Sequence, residues 1–213
     1  LCINSINKNS KFIHEIILHI NDGSDGTLKY INNLNIKYSY SKENSGICIG
    51  CNQAAKKSSK KYILYAHDDM YFCPGWDEAF FEEIKSINTE KFYLSGTMIF
   101  NGQIEKSFGE SIETFDEIKL LKNLNELRHF DFQGSTWSPT LIPKKLWDDI
   151  GGLSEEYTPG TGSDPDLNMK LWKKGVRIFK GLEKSKVYHF GSIVTRQKEK
   201  KFKSETESGS RGS

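Results

Sequence analysis

Cysteine is scarce in this chain: four in 213 residues, at Cys2, Cys48, Cys51 and Cys73. Stability therefore does not rest on a disulfide framework, which belongs to shorter, cysteine-dense secreted chains. Reduced thiols predict a cytoplasmic setting. Net charge is also small, because 30 Lys+Arg against 28 Asp+Glu leaves +2. No overall field draws the chain to nucleic acid, and no nucleic-acid partner is expected. No apolar run approaches the length of a membrane-spanning helix, and the first residues do not read as a signal peptide. Internal repeats are absent as well. The length suits one α/β domain or one domain with a small appendage, enough to bury a core.

What is present is an alternation of apolar runs and helical periods. Glu15 to Ile20 reads as a strand running into the turn-rich NDGSDG. A helix over Thr27 to Leu34 follows, then a strand over Ile36 to Ser41, a Gly-containing turn, and a helix to about Ser58. Lys61 to Ala66 is a very apolar strand stopped by His67, Asp68 and Asp69. Trp76 to Ile87 puts Trp76, Phe80, Ile84 and Ile87 on one helix face, and Phe92 to Phe100 is another strand. This β-α-β-α-β-α-β order predicts a mostly parallel, doubly wound sheet with helices on both faces. Ligands of such sheets sit beyond the carboxyl ends of the strands. Asn21-Asp22 and Asp68-Asp69, each directly after a strand, should face one crevice.

Later segments are weaker. A helix is expected near Asp116 to Leu127, an extended stretch over Gln133 to Ile142, and a short helix over Lys144 to Ile150. A Gly-rich loop over Gly151 to Gly162 leads to a helix over Asp164 to Lys174, with Leu167, Leu171 and Trp172 as its apolar face. Short strands are expected over Val176 to Lys180 and Val187 to Phe190. One domain over 1–195 and a polar, disordered tail over 196–213 complete the organisation.

Several motifs carry possible chemistry, each beside a plainer reading. In IleAsnAspGlySerAspGlyThr (20–27), an acid at a strand end can accept hydrogen bonds from a base or ribose, and the following helix end favours phosphate. The plainer reading is a strand–helix turn capped by Asp25 or Thr27. Adjacent acids beside His67 are poorly explained by folding, since like charges repel, and hard oxygen ligands there suit Mg²⁺ or Mn²⁺ bound with a diphosphate. Asp164, after flexible glycines, reads as a helix N-cap with Pro165 at the first helical position, which leaves catalysis open. His189 completes a metal site or is a satisfied structural histidine. Trp137 is an acceptor-side stacking platform or a core Trp. Cys48 and Cys51 are a redox pair, half a zinc site, or two small apolar residues one turn apart.

In this order the motifs resemble family 2 glycosyltransferases of the GT-A type, from about Leu1 to Ser192. EIILHINDGSDGT is similar to that family's strand and DDGS-DGT turn, ENSGICIGCNQAA to its E-N-x-G…N-x-A/G stretch, and YILYAHDDMYFCPGW to its metal motif with the following Pro-Gly-Trp. IGGLSEEY with SDPDLNMKLWKKG resembles the GG-F-D-E loop and the E-D-x-D-L…R…G helix, and VYHFGS the late metal-ligand His. The resemblance implies that Asp22 recognises the donor's base and that Asn44, Gly46 and Asn52 line the nucleotide site. It implies a ribose-facing Asp68, a metal-binding Asp69, Asp164 as catalytic base, and His189 facing metal or phosphate. Inverting transfer of a sugar from a UDP-, GDP- or dTDP-linked donor to a glycan, lipid-linked or protein acceptor follows, with Mn²⁺ or Mg²⁺ as cofactor. A peripheral contact with a membrane stays open, as does a non-catalytic nucleotide- or sugar-binding domain. Departures from the family pattern are Cys51 in place of an Arg, Ser163 in place of a Glu, and His67 at the first position of the D-x-D. LCINSINKNSKF reads as the end of the family's first helix, so its first strand is expected to be missing.

Overall fold

The structure, a computed structural model, describes residues 1–134 and 137–191. The tail expected over 196–213 lies outside the described residues. The chain opens with α1 (Cys2–Asn9), β1 (Ile17–Asn21), α2 (Thr27–Asn32), β2 (Lys37–Ser41), α3 (Gly46–Ala55) and β3 (Tyr62–Tyr65). It continues through β4 (Met70–Phe72), α4 (Trp76–Ser86), β5 (Phe92–Ile99), α5 (Glu117–Asn123), β6 (Phe132–Gln133) and β7 (Thr140–Pro143). The last elements are α6 (Lys144–Ile150), a 3₁₀ turn (Glu155–Tyr157), α7 (Ser163–Lys173) and β8 (Ile178–His189).

The expected α/β architecture is present, with a mixed sheet. β1 and β2 pair in parallel, and a larger sheet runs β3-β7-β5-β8-β4, with β6 also on β8. Within it β3, β5 and β8 point one way and β7, β4 and β6 the other. β1 is the first strand among the described residues. The strands expected over Val176–Lys180 and Val187–Phe190 are one continuous strand, β8, because Gly181 and Lys186 between them also pair with β5 and all the intervening residues but Lys184 are buried. A register shift between Ser95 and Thr97 lets β5 follow it. Gly96 sits at that bulge, where a Cβ would stand 2.9 Å from the Ser185 carbonyl.

β5 is buried along its whole length, and its alternation separates two layers. Tyr93 joins Cys48, Trp147, Leu167 and Leu171 beneath α3, α6 and α7. Phe92, Leu94 and Met98 join Trp76, Phe80 and Phe72 beneath α1 and α4. The expected face of α4 is inward, with Trp76 and Phe80 buried and Ile84 and Ile87 packed against them. A third cluster centres on Tyr188, Phe190, Leu120 and Phe108.

β4 was not foreseen, because MYF directly follows a charged turn and is only 3 residues long. Its outer edge is satisfied by α1. Phe72 N–H donates to Ser5 Oγ at 2.9 Å, and Asn9 Nδ2 donates to the Phe72 carbonyl at 2.7 Å. Two side chains one helical turn apart thus replace a neighbouring strand, which removes an exposed edge.

Candidate active site

Because β3, β5 and β8 share a direction, their carboxyl ends lie at one end of the sheet. His67 to Asp69 follow β3, Asn101 follows β5, and His189 ends β8. The structure brings two of the expected metal ligands together. Met70 is in register with His189, and the Phe190 N–H donates to the Asp69 carbonyl at 3.0 Å. Asp69 Oδ2 then lies 3.4 Å from His189 Nε2.

The tautomer of His189 gives this contact its meaning. Nδ1 lies 3.1 Å from the Asn101 carbonyl, which can only accept, so Nδ1 carries the hydrogen. In the neutral ring the Nε2 lone pair therefore faces a carboxylate oxygen. A cation between them, a proton or a metal ion, reconciles the pair, and the span lets both reach one ion with bonds of about 2.1 Å. Among the described residues no group of three or more His, Cys, Asp or Glu side chains gathers as a metal cage. A divalent ion here would take its other ligands from substrate oxygens and water, as Mg²⁺ commonly does.

His67, at the first position of the motif, is turned away. Its Nε2 shares a 2.7 Å hydrogen bond with the Tyr65 hydroxyl, and burial lowers its pKa. Asp68 is exposed at the mouth of the crevice. Cys2 donates to the His67 carbonyl at 3.6 Å, and burial pushes its thiol up to about 12, so α1 braces this turn with a neutral group.

Asp164 sits in the first turn of α7. The helix begins at Ser163 with Gly162 in the left-handed conformation before it, so Asp164 is not the N-cap and Pro165 is not the first helical residue. Two glycines and the Ser163 hydroxyl, which donates to the Gly160 carbonyl at 2.7 Å, make the turn that an Asp cap would otherwise make. This frees the carboxylate. Burial pushes its pKa up to about 6. Its neighbours are Cys48, Cys51, Tyr65 and Tyr93, and its charge helps keep each of them protonated. Cys48 and Cys51 are both free thiols with pKa values raised by burial.

The expected donor-side residues fall around the amino end of α3. Asp22 has φ +65°, is exposed, and accepts from the Ser24 hydroxyl at 3.0 Å. Asp25 caps the turn by accepting from Thr27 N–H at 2.9 Å. Asn44 is exposed and its Oδ1 accepts from Gly46 N–H at 3.0 Å. Gly46 has φ +78°, and a Cβ there would stand 2.6 Å from Thr158 Cγ2. Ile47 N–H donates to the Pro159 carbonyl at 3.0 Å, so the loop before Asp164 is docked on α3.

Asn21, expected with Asp22 to face the crevice, instead ties the chain together. Its Oδ1 accepts from both the backbone N–H and the hydroxyl of Ser45 at 2.9 Å, and lies 3.2 Å from His19 Nε2. It joins the end of β1 to α3, a role for which a polar His19 inside an apolar strand was the available signal.

Asn52 is buried, and its amide is engaged by the 152–155 loop. Oδ1 accepts from Leu153 N–H at 2.9 Å, while Nδ2 donates to the Leu153 carbonyl at 2.8 Å and to Glu155 Oε1 at 3.1 Å. Asn52→Ala strands both backbone groups of Leu153, and should destabilise the fold by about 2–4 kcal/mol. Chemical denaturation should show this as a lower midpoint with the slope preserved.

Trp137 is 57% exposed, which excludes the core reading. It lies three residues before Thr140, the amino end of β7, which is in register with Tyr65 and Ser95. Its backbone thus arrives at the same end of the sheet as the acids.

A mixed sheet covered by α3, α6 and α7 on one face and by α1 and α4 on the other is the architecture of the GT-A glycosyltransferase fold. Solved structures similar to this chain have that fold. GalNAc-T7 with UDP, GalNAc and Mn²⁺ matches with a TM-score of 0.64 and 14% identity over 88% of this chain and 39% of that one. TarS 1-349 of S. aureus in complex with UDP-GlcNAc matches with a TM-score of 0.62 and 15% identity over 88% and 53%. This chain thus spans less than two thirds of either structure. The profile described as glycosyl transferase family 2 matches residues 1–138, and the chain belongs to that family. A search of curated protein sequences finds no significant match.

Proposed function

We propose that the domain, over 1–195, transfers a sugar from a nucleoside diphosphate sugar to an acceptor hydroxyl with inversion. The observation that carries this reading is Asp164: a carboxylate pushed up to about 6 by burial, beside Tyr65, whose hydroxyl is hydrogen-bonded to His67 in the turn that carries Asp69. A general base works best with a pKa near the working pH. Asp164 takes the proton of the acceptor hydroxyl as that oxygen bonds to the anomeric carbon. The bond from the anomeric carbon to the donor phosphate breaks on the opposite face, and the nucleoside diphosphate leaves with the electron pair.

Asp69 and His189 fit a divalent cation, Mn²⁺ or Mg²⁺. When bound, such an ion supplies charge stabilisation to the leaving diphosphate. In this reading the exposed Asp68 meets the ribose, the exposed Asp22 the base, and Asn44 and Gly46 line the nucleotide site. Asn52 holds the 152–155 loop in position. Trp137 offers an aromatic face to the acceptor. The similar structures with bound UDP, GalNAc and Mn²⁺, or UDP-GlcNAc, support a UDP-linked donor. Among the described residues no helix is long and apolar enough to cross a membrane.

The test is slow hydrolysis of donor in the absence of acceptor. UDP-GlcNAc, UDP-GalNAc and UDP-Glc are incubated with the chain in Mn²⁺ and in excess chelator, and UDP release is followed. Metal-stimulated release from one of them is expected. Release from none, with nucleotide bound but intact, would identify a binding domain instead.

A further inference from the structure

Along α7, Asp164, Asn168 and Trp172 recur at intervals of four residues. On a helix such residues form one stripe, here about 12 Å long. Its first member is the proposed base. The other two, with Met169, Arg177, Phe179 and Gln133, line an open groove of about 350 Å³, at the small end of ligand sites.

The groove has features that packing does not explain. Leu167 and Leu171 are fully buried, as the helix period requires, yet Trp172 is 49% and Met169 55% exposed. Trp172 was expected on the inner face, but the period places it one step past Leu171, toward solvent. The exposed indole is nonetheless held firmly. The Arg177 guanidinium lies 3.8 Å from its centroid and donates to the Trp172 and Val176 carbonyls at 2.8 and 2.7 Å. The Phe179 ring stacks beside it at 6.4 Å. Asn168 Oδ1 is buried and has no hydrogen-bond partner among the described residues. A buried acceptor without a donor calls for an explanation, and a bound hydroxyl supplies one.

We propose that this groove is an acceptor subsite for a neutral saccharide chain, which it would lead along α7 toward Asp164. The assignment rests on reading Asp164 as the base. A fixed aromatic face suits the C–H faces of sugar rings, and the neutral amides of Asn168 and Gln133 suit their hydroxyls. Among the described residues no acidic side chain or lysine lines the groove, so a charged peptide finds no complementary partner there beyond Arg177, whose cation is stacked on the ring. Asn168 follows Asp164 by one turn of the same helix, and that shared stripe distinguishes an acceptor from an unrelated ligand.

The experiment compares Trp172→Ala, Asn168→Ala and Trp172→Phe with the parent chain on monosaccharide and tetrasaccharide acceptors built from glucose, galactose or N-acetylglucosamine. Both alanine variants should raise KM for the tetrasaccharide about tenfold, with kcat little affected, and Trp172→Phe should restore most of the loss. An unaltered KM, or an equal loss with the monosaccharide, overturns the proposal. If the parent transfers no sugar at all, ligand-observed NMR with the same tetrasaccharides separates the two readings. Binding that Trp172→Ala removes sustains the groove while transfer falls, whereas no binding of any of them overturns the groove.

Discussion

Asp164→Asn should lower sugar transfer by about 10²–10⁴-fold while nucleotide binding, measured by calorimetry, stays near the parental value. The asparagine keeps the shape and loses the ability to take a proton. A second signature separates this role from a structural one. With a pKa raised to about 6 by burial, the parent should lose kcat/KM as pH falls below about 6, and the residual activity of the variant should lack that limb. A variant that retained near-normal transfer, or the same acid limb, would remove Asp164 from the mechanism.

The same substitution should stabilise the fold. The Asp164 carboxyl has a higher pKa in the folded chain than the ordinary aspartate value of about 3.9, so the folded state binds its proton more tightly. Below about pH 4 the group is neutral in both states and costs nothing. As pH rises from about 4 to 6 the unfolded chain ionises it first, and stability falls by at most about 3 kcal/mol. Above that range the loss is complete and constant. Asp164→Asn should therefore melt several degrees above the parent at pH 7.5 and close to it at pH 4. Opposite effects on activity and stability from one atom pair are characteristic of a functional group held against its solvation preference. Equal melting shifts at both pH values would argue that the carboxylate is better hydrated than its burial indicates.

The alternation that announced the fold was readable because its helices and strands bury one side against the other. The α4 face and the wholly buried β5 were both legible in the pattern. What escaped was set by partners distant in sequence. β4 is a strand because Ser5 and Asn9 satisfy one edge and β8 the other. The continuity of β8 through Glu183 to Lys186 is equally remote from local pattern, since a charged pair is buried there by forming its own 2.6 Å contact. At the candidate site, the sequence could point to Asp69, His189 and Asp164 as chemistry-bearing types at strand and helix ends. Their distances could not be read, and neither could the division of labour between adjacent residues. Asn21 beside Asp22 and His67 beside Asp68 are each taken up by an internal hydrogen bond, leaving the neighbour exposed. Asn168 and Trp172 lay hidden within a helix whose apolar count looked ordinary.

Asp69→Ala should abolish the dependence of nucleotide binding on Mn²⁺. Calorimetry of UDP and of GDP, each with and without the metal, reads this directly, on the parent and on the variant. Loss of a direct ligand should exceed the roughly 10–100-fold that loss of a supporting hydrogen bond costs a metal site, so metal-promoted binding should fall by more than about 100-fold. His189→Ala should produce a smaller loss in the same direction, because a diphosphate oxygen or water can take the place of a neutral ligand more readily than that of a charged one. The two substitutions should also be non-additive, since their ring and carboxylate atoms lie 3.4 Å apart and would share one ion. Additive losses in the metal-loaded titration would mean that the two side chains do not share one ion.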